Sequence, residues 1–237
     1  MPHDWDKAEP GGIPVPGLGQ VHLWRIEVDG HDGHTVADIA ADLSPEERQR
    51  AARLRSPDHA GRWVRSRAAL RSILGGYLGM APSAVAFDLG PNDKPSLAGA
   101  DSARLHFNLS HSGDLALVAV SPDREVGADV ERIRQGLDEL ALARWAFDAE
   151  MVDLLESTAP ELRTAAFFRL WVRHEARVKC RGTGMGEGPE AADHQGVLIE
   201  DVAIAADYAA ALAVASVGRP GEPGLTSRWE WDGRLRG

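Results

Sequence analysis

The chain has 237 residues, of which 43% are hydrophobic and 26% charged, and its formal net charge is −10. These proportions are typical of one large globular domain or two modest ones, and they exclude collagen-like, coiled-coil and largely disordered chains. The single cysteine, Cys180, excludes an internal disulfide framework and a zinc site built from cysteines.

In chain order, the first half is predicted to contain an irregular start, a strand, two helices and three further strands. Residues 1–19 are rich in Gly and Pro and predict an irregular strap. Ser44 and Ser56 each stand directly before a proline, an arrangement that favours the N-terminus of a helix. Alternating apolar and polar residues predict the strands. The expected ranges are a strand at 21–29, helices from Ser44 and from Ser56 to about residue 74 (closed by Gly75, Gly76 and Gly79), and strands at 104–110, 115–120 and 126–131.

The second half repeats this order. A helix is expected to begin at 147–150 and a long helix to span about 162–180, followed by strands at 197–205 and 209–217. Because helices, a glycine-rich stop and then strands occur twice, the sequence predicts an α/β fold of two similar halves. We expect an N-terminal half at 20–122, a C-terminal half at 123–218 and a tail at 219–237.

Two features bear on location. The longest clean apolar run, residues 115–120, is far too short to cross a bilayer. No charged-then-apolar leader opens the sequence, so export is not expected. The sequence therefore predicts a cytoplasmic protein that does not bind membranes.

One segment of this acidic chain is strongly basic. Eight arginines lie between Arg48 and Arg71, where Asp58 is the only acid. Such a segment could hold a local polyanion such as a nucleotide, although a solvated helical face is the alternative. The net charge of −10 argues against a protein whose whole surface binds nucleic acid.

The strand predicted at 126–131 reads V-G-A-D-V-E and carries two acids. Because side chains two residues apart on a strand share a face, Asp129 and Glu131 project together. Paired carboxylates suit a hard divalent cation such as Mg²⁺. The alternative is a half-buried strand whose outer face is simply acidic.

The long helix carries a second candidate pair. Glu175 and Lys179 are four residues apart and share a helix face with bulky aromatic residues. An ordinary surface ion pair is the alternative. However, the chain contains three lysines against 23 arginines. A compact ammonium is favoured where a point charge must meet a phosphate or a developing negative charge.

Two further motifs favour phosphate binding. The sequence F-N-L-S-H-S-G at 107–113 could bind phosphate through hydroxyl, imidazole and turn amides, or could simply cap a hairpin. The turn before it exposes Lys94, which is followed by Pro95. No G-x-S-x-G elbow occurs, which argues against a serine hydrolase.

These motifs become specific through their order. A Lys-Pro turn, F-N-x-S-H-S-G, V-G-x-D-x-E and W-x-x-x-E-A-x-x-K-x-x-G-x-G follow one another between about residues 44 and 185. Together they resemble the 4′-phosphopantetheinyl transferases of the Sfp type. The resemblance implies two similar α/β halves in a pseudo-twofold arrangement. It also implies transfer of 4′-phosphopantetheine from coenzyme A to a carrier-protein serine, with release of adenosine 3′,5′-bisphosphate.

The resemblance also implies roles for individual residues. The expected metal ligands for Mg²⁺, or for Mn²⁺ in its place, are Asp129, Glu131 and Glu175. The expected catalytic residues are Glu175, Lys179 and Asp129. Glu175 is expected to be the base for the carrier serine, and Lys179 is expected to stabilise charge on the phosphate. The residues expected to bind coenzyme A are Arg50, Arg62, Lys94, Pro95, Asn108, Ser110 and His111.

The implied partners are apo acyl or peptidyl carrier proteins of fatty acid, polyketide or nonribosomal peptide biosynthesis. The protein is expected to be a monomer and to bind no nucleic acid. Two acids depart from the family pattern near the expected nucleotide site, Asp93 and Glu47. They favour an alternative function, in which a protein of the same fold binds coenzyme A or carrier proteins but does not catalyse the transfer. A nucleic-acid binder acting through residues 48–71 and a Mg²⁺-dependent nucleotide hydrolase are weaker alternatives.

Overall fold

The part of the chain that the computed structural model describes contains six α-helices and ten β-strands. That part comprises residues 5–8, 12, 14–29, 35–90, 92, 94–101, 104–183, 196–216 and 226–231. The predicted mixture of helices and strands is confirmed, with an α+β arrangement. No helix within these described ranges combines the length and apolar character needed to cross a membrane.

The strands form three sheets. A five-stranded sheet has the order β1-β10-β2-β6-β5, a three-stranded sheet has the order β7-β9-β8, and β3 pairs with β4. The strands are β1 (Asp6–Ala8), β2 (Val21–Glu27), β3 (Phe87–Leu89), β4 (Pro95–Leu97), β5 (His106–Ser112), β6 (Leu115–Ser121), β7 (Val126–Arg132), β8 (Val197–Asp201), β9 (Tyr208–Ala215) and β10 (Thr226–Trp231). The helices are α1 (Val36–Ile39), α2 (Pro45–Ala52), α3 (Pro57–Leu78), α4 (Glu139–Ala146), α5 (Ala149–Ser157) and α6 (Pro160–Arg181).

Helix α3 covers the five-stranded sheet. Its N-terminus is capped by Ser56, as its sequence predicts, and the side chains of Leu70, Ile73 and Leu74 are buried against the sheet. The helix passes its predicted end at about residue 74 and continues to Leu78. Of the three glycines expected to close it, Gly79 is the C-terminal cap, with a φ of 71°. A β-carbon on Gly75 would lie 2.8 Å from the carbonyl oxygen of Met80, so this glycine allows a close backbone approach inside the helix.

Helix α6 covers the three-stranded sheet and ends at Gly182, whose φ of 71° is the left-handed conformation of a helix C-terminus. Asp148 caps α5, which confirms the helix start predicted at 147–150. Strand β8 stops at Asp201, so the strand predicted at 197–205 is too long. Val202 and Ile204 still alternate as buried residues, because they pack into the core between the two larger sheets.

Both ends of the chain contribute to the five-stranded sheet. The prediction of an irregular strap at 1–19 is wrong for β1, and the predicted tail at 219–237 contains β10. Strand β10 lies parallel to β2 and between β2 and β1, with Trp229 beside Trp24. Trp231 is buried, which gives this distant segment an apolar anchor in the first half's core.

A buried histidine joins β2 to α3. His22 Nδ1 lies 2.7 Å from the hydroxyl of Tyr77, which also accepts a hydrogen bond from Trp24 Nε1 at 2.9 Å. The hydroxyl of Tyr77 can therefore serve both side chains, and it can donate its own proton to Nδ1 when the imidazole is neutral. Burial lowers the pKa of His22 to about 4.

Acidification should therefore weaken the fold. Below pH 6.5 the unfolded chain binds a proton at His22 that the folded protein excludes until about pH 4, so stability decreases as pH falls through that window. The expected loss of unfolding free energy is roughly 3 kcal/mol. Urea unfolding of the wild type and of His22→Gln across this pH range measures it. Equal pH slopes in both proteins would contradict the assignment.

Candidate active site

Strand β7 and helix α6 touch through their backbones at Gly127. A β-carbon there would lie 2.0 Å from the carbonyl oxygen of Ala176 and 2.3 Å from the amide nitrogen of Cys180. These distances are too short for any larger residue without movement of the helix. The glycine of V-G-A-D-V-E therefore sets the acidic residues of β7 beside the helix face that carries Glu175 and Lys179.

Asp129 is the most enclosed acid of the site, with 3% of its surface exposed. Its Oδ1 accepts hydrogen bonds from Lys179 Nζ at 2.5 Å and from Ser110 Oγ at 2.8 Å. Its Oδ2 is buried and has no hydrogen-bond partner among the described residues. Burial raises the pKa of Asp129, and the charge of Lys179 offsets only part of that shift.

Two more carboxylates stand next to Asp129. Glu175 is 8% exposed, and burial raises its pKa, with a further increase from the negative charge of Asp129. Glu131 lies nearer the solvent, and its Oε2 accepts from Ser112 Oγ at 2.7 Å and from Arg134 Nη1 at 3.4 Å. The site therefore concentrates negative charge that a cation would stabilise.

Alternate side chains of β5 bind the open edge of β7. Asn108 Oδ1 accepts from the amide of Ala128 at 2.9 Å, and Ser112 Oγ accepts from the amide of Arg132 at 3.1 Å. Ser110 Oγ makes the equivalent contact between these two. Side chains thus take the place of a strand ladder here and join the two larger sheets.

A pocket of about 420 Å³ opens beside the carboxylates, between residues 92–109 and the C-terminal part of α6. It brings together five of the predicted site residues from two distant segments of the chain. Its lining residues are Asn92, Lys94, Pro95, Asn108, Leu109, Glu175, Val178, Lys179 and Gly182. Asp129 and Ser110 are not lining residues, but each of them contacts Lys179.

Lys94 already has partners within the protein. Its Nζ donates to Glu125 Oε2 at 2.7 Å and to the carbonyl oxygen of Cys180 at 3.1 Å. His106 Nδ1 lies 3.0 Å from the other oxygen of Glu125. These contacts from His106 and Lys94 lower the pKa of Glu125 to about 2. Lys94 therefore links the first half to the C-terminal end of α6.

Asn92 makes a second link to the same helix end. Its Nδ2 donates to the carbonyl oxygens of Gly182 at 3.0 Å and Thr183 at 2.8 Å. Its φ of 59° is the left-handed conformation, which asparagine adopts more readily than most residues. The neighbouring Asp93, which departs from the family pattern, lies outside the described residues.

The basic segment is not one continuous anion-binding surface. Glu47 accepts hydrogen bonds from Arg67 at 2.8 Å and from Arg71 at 2.6 Å, and Arg71 is 2% exposed. Glu47 also completes the N-terminal cap of α2 with Ser44. This acid therefore pairs with two of the eight arginines inside the helical layer and cancels one of their two charges.

Four predicted coenzyme A ligands do not line the pocket, namely Arg50, Arg62, Ser110 and His111. Arg62 Nη2 lies 2.6 Å from Asp114 Oδ1, and the Arg50 guanidinium lies 5.5 Å from the ring centre of Trp63. His111 is close enough to the lysine of α6 and the outer glutamate of β7 for their charges to act on its imidazole.

Asn92, Ser112 and Glu125 have no individually predicted role. Ser112 had a usable signal, because it follows Ser110 at the same two-residue spacing that separates Asp129 from Glu131. Glu125 and Asn92 gave no such signal, since their partners lie 31 and 90 residues away in sequence.

Comparison with known proteins agrees with this geometry. Residues 125–209 match the family model of the 4′-phosphopantetheinyl transferase superfamily, and residues 33–123 match the model described as 4′-phosphopantetheinyl transferase, N-terminal. The 4′-phosphopantetheinyl transferase HetI of Nostoc sp. is 43% identical over 170 residues, which cover 71% of each chain. The chain belongs to the 4′-phosphopantetheinyl transferase superfamily.

Other relatives carry the same description. The transferase is 35% identical over 170 residues to the 4′-phosphopantetheinyl transferase psf-1 of Bacillus pumilus, covering 70% of this chain and 71% of the relative. It is 42% identical over 93 residues to the 4′-phosphopantetheinyl transferase AcpT of Salmonella typhimurium, covering 39% and 47% respectively. The predicted family, fold class and enzyme class are confirmed.

The family uses coenzyme A as a substrate and acts on carrier proteins. The transferase is accordingly an enzyme that transfers the 4′-phosphopantetheine group, and a catalytically silent protein of this fold is not favoured. Within the described ranges, no cluster of three or more His, Cys, Asp or Glu side chains is already arranged to hold a metal ion.

Proposed function

We propose that the transferase binds coenzyme A in the pocket between its halves and that Asp129, Glu131 and Glu175 hold a Mg²⁺ ion beside it. The observation that carries this proposal is that Glu175 and Lys179 line the pocket while Lys179 binds Asp129 directly behind it. The acceptor would be a serine of an apo acyl or peptidyl carrier protein, and the second product adenosine 3′,5′-bisphosphate.

The free oxygens of the site fit a divalent cation. Asp129 Oδ2 is buried without a partner, and both contacts to Glu131 use Oε2 and leave Oε1. Hard divalent cations prefer such carboxylate oxygens. When bound, the cation supplies positive charge that stabilises the pyrophosphate and the departing phosphate.

Glu175 is the proposed base. In the reaction the serine oxygen bonds to the phosphorus that carries the pantetheine, and the bond from that phosphorus to the bridging oxygen breaks. The serine proton must leave as this happens. Glu175 lines the pocket in which the phosphate would lie, so its carboxylate is placed to accept that proton.

Lys179 is the proposed stabiliser of phosphate charge. Its ammonium has three N–H donors, of which Asp129 and Ser110 each take one. The remaining donor can meet a phosphate oxygen in the pocket that Lys179 lines.

Lys179→Ala is expected to lower kcat by about a hundredfold and to raise the KM for coenzyme A much less, because the charge acts mainly in the transition state. Lys179→Arg should restore little, since a planar guanidinium does not fit a compact ammonium site. Steady-state rates with coenzyme A varied measure both constants. Arg144→Ala is the control, because this exposed cation pairs with Glu156 and does not line the pocket. A higher KM with unchanged kcat would contradict this role.

Intact mass of an apo carrier protein tests the proposed reaction. After incubation with the transferase, coenzyme A and Mg²⁺, the carrier should gain one phosphopantetheine, and EDTA should abolish the gain. Activity that persists in EDTA would overturn the metal assignment, and no gain with several apo carriers would overturn the acceptor. A monomeric, cytoplasmic enzyme that binds no nucleic acid stays a prediction, as does the biosynthetic pathway it serves.

A further inference from the structure

Two serines of β5 hold the two acids of β7 in the same way. Ser110 Oγ donates to Asp129 Oδ1 at 2.8 Å, and Ser112 Oγ donates to Glu131 Oε2 at 2.7 Å. The serines are two residues apart on β5 and the acids two residues apart on β7, so each set shares one face of its strand. The proposed function uses both acids but gives Ser112 no part.

The serine hydroxyls are themselves oriented by the backbone of β7. Ser110 Oγ accepts from the amide of Val130 at 3.4 Å, and Ser112 Oγ accepts from the amide of Arg132 at 3.1 Å. Because each oxygen is held as an acceptor by a strand amide, its proton is directed to the neighbouring carboxylate. Each acid therefore has one oxygen anchored to β5.

The second oxygen of each of these two carboxylates lies outside these hydrogen bonds. Asp129 Oδ2 is buried without a partner, and Glu131 Oε1 takes part in neither contact that the structure gives Glu131. We propose that Ser112 is a positioning residue that fixes the Glu131 carboxylate with Oε1 left for the divalent cation. This inference rests on the proposed metal site.

The other restraint on Glu131 is weak. Arg134 reaches Glu131 Oε2 at 3.4 Å from a side chain that is 58% exposed, so solvent screens that pair. The last torsion angle of a glutamate side chain has a broad preferred range. Among the described residues, the hydrogen bond from Ser112 is therefore the main restraint on the orientation of this carboxylate. Loss of the Ser112 hydroxyl would therefore leave the carboxylate to be ordered by the ion itself, which lowers the affinity for the ion.

Mn²⁺ binding to the transferase alone, followed by electron paramagnetic resonance of free Mn²⁺, tests this inference without turnover. Ser112→Ala should raise the Kd for Mn²⁺ by about tenfold, as expected when a hydrogen bond that orients a metal ligand is removed. Ser112→Thr should recover most of the affinity, because it keeps the hydroxyl and a β-branched residue suits a strand. Ser157→Ala, at an exposed serine whose hydroxyl binds Leu154 O of its own helix, should change nothing.

The outcomes separate this inference from the proposed function. If the wild type binds no Mn²⁺, the metal site fails and the inference fails with it. If the wild type binds and Ser112→Ala binds equally well, the positioning role alone is overturned. A lower melting temperature with unchanged Kd would assign Ser112 to stability only. Should Ser112→Ala fail to fold, Ser112→Cys, which keeps the size but donates weakly, is titrated in its place with the same expected increase.

In turnover, the same variant should need more Mg²⁺ to reach half-maximal rate, while kcat at saturating Mg²⁺ stays near the wild-type value. This split follows because Ser112 acts through Glu131 and does not touch the reacting groups. A lower kcat at saturating metal would contradict a positioning role.

Discussion

Asp129→Asn is expected to lower kcat by at least about a thousandfold, which corresponds to about 4 kcal/mol of lost transition-state stabilisation. The substitution removes the charge of the most buried acid of the site, whose unpartnered Oδ2 is the best-placed oxygen for a cation. It also removes the charge that orients Lys179. Carrier mass and single-turnover rates measure the loss.

The fold should survive this change. An amide has nearly the same size as the carboxylate, and Ser110 can still donate to its oxygen. Removing a buried negative charge also relieves the repulsion that acts on Glu175, which offsets the loss of a partner for Lys179. The melting temperature should therefore change little, and Glu156→Gln, an exposed carboxylate on α5, should leave both rate and stability unchanged. Near-wild-type turnover of Asp129→Asn would overturn the metal assignment.

Local patterns predicted the elements that carry the chemistry. The alternation around Asp129 placed it on a strand, and the spacing of Glu175 and Lys179 placed both on one helix face, as the structure shows. These features depend on neighbours within one turn or one strand, which the sequence displays directly. The order of the motifs then predicted the family.

Long-range partners could not be predicted in this way. Glu47 was predicted to lie near the nucleotide site, but its carboxylate accepts hydrogen bonds from Arg67 and Arg71 of the next helix. Lys94 looked like an exposed ligand, but it pairs with Glu125 and with the end of α6. A side chain's partner depends on tertiary packing, and the spacing of residue types along the chain does not specify it.

The chain ends show the same limit. The alternation of Trp229 and Trp231 is typical of a strand, although residues 219–237 were predicted to be a tail. The place of β10 beside β2 depends on a partner about 200 residues earlier in the chain. Strand pairing at such separation has no local signature.

Gly127→Ala is expected to lower stability and activity more than the addition of a methyl group anywhere else in the site. Its β-carbon would meet backbone atoms of α6, at 2.0 Å from Ala176 O and 2.3 Å from Cys180 N, and backbone cannot rotate away as a side chain can. The helix must move, with an expected loss of about 3 kcal/mol or more of unfolding free energy. Chemical unfolding measures this loss, and carrier mass measures the activity.

Activity should fall further than stability alone explains, because β7 and α6 carry opposite sides of the site and a shift of about 1 Å can cost a hundredfold in rate. Gly61→Ala is the matched control. Its β-carbon would meet only Val36 Cγ2, at 3.6 Å, and it lies inside helix α3. That variant should be stabilised by about 0.5–1 kcal/mol, since alanine favours a helix over glycine. If Gly127→Ala behaved like Gly61→Ala, the contact between strand and helix would not be what positions Asp129 against Glu175 and Lys179.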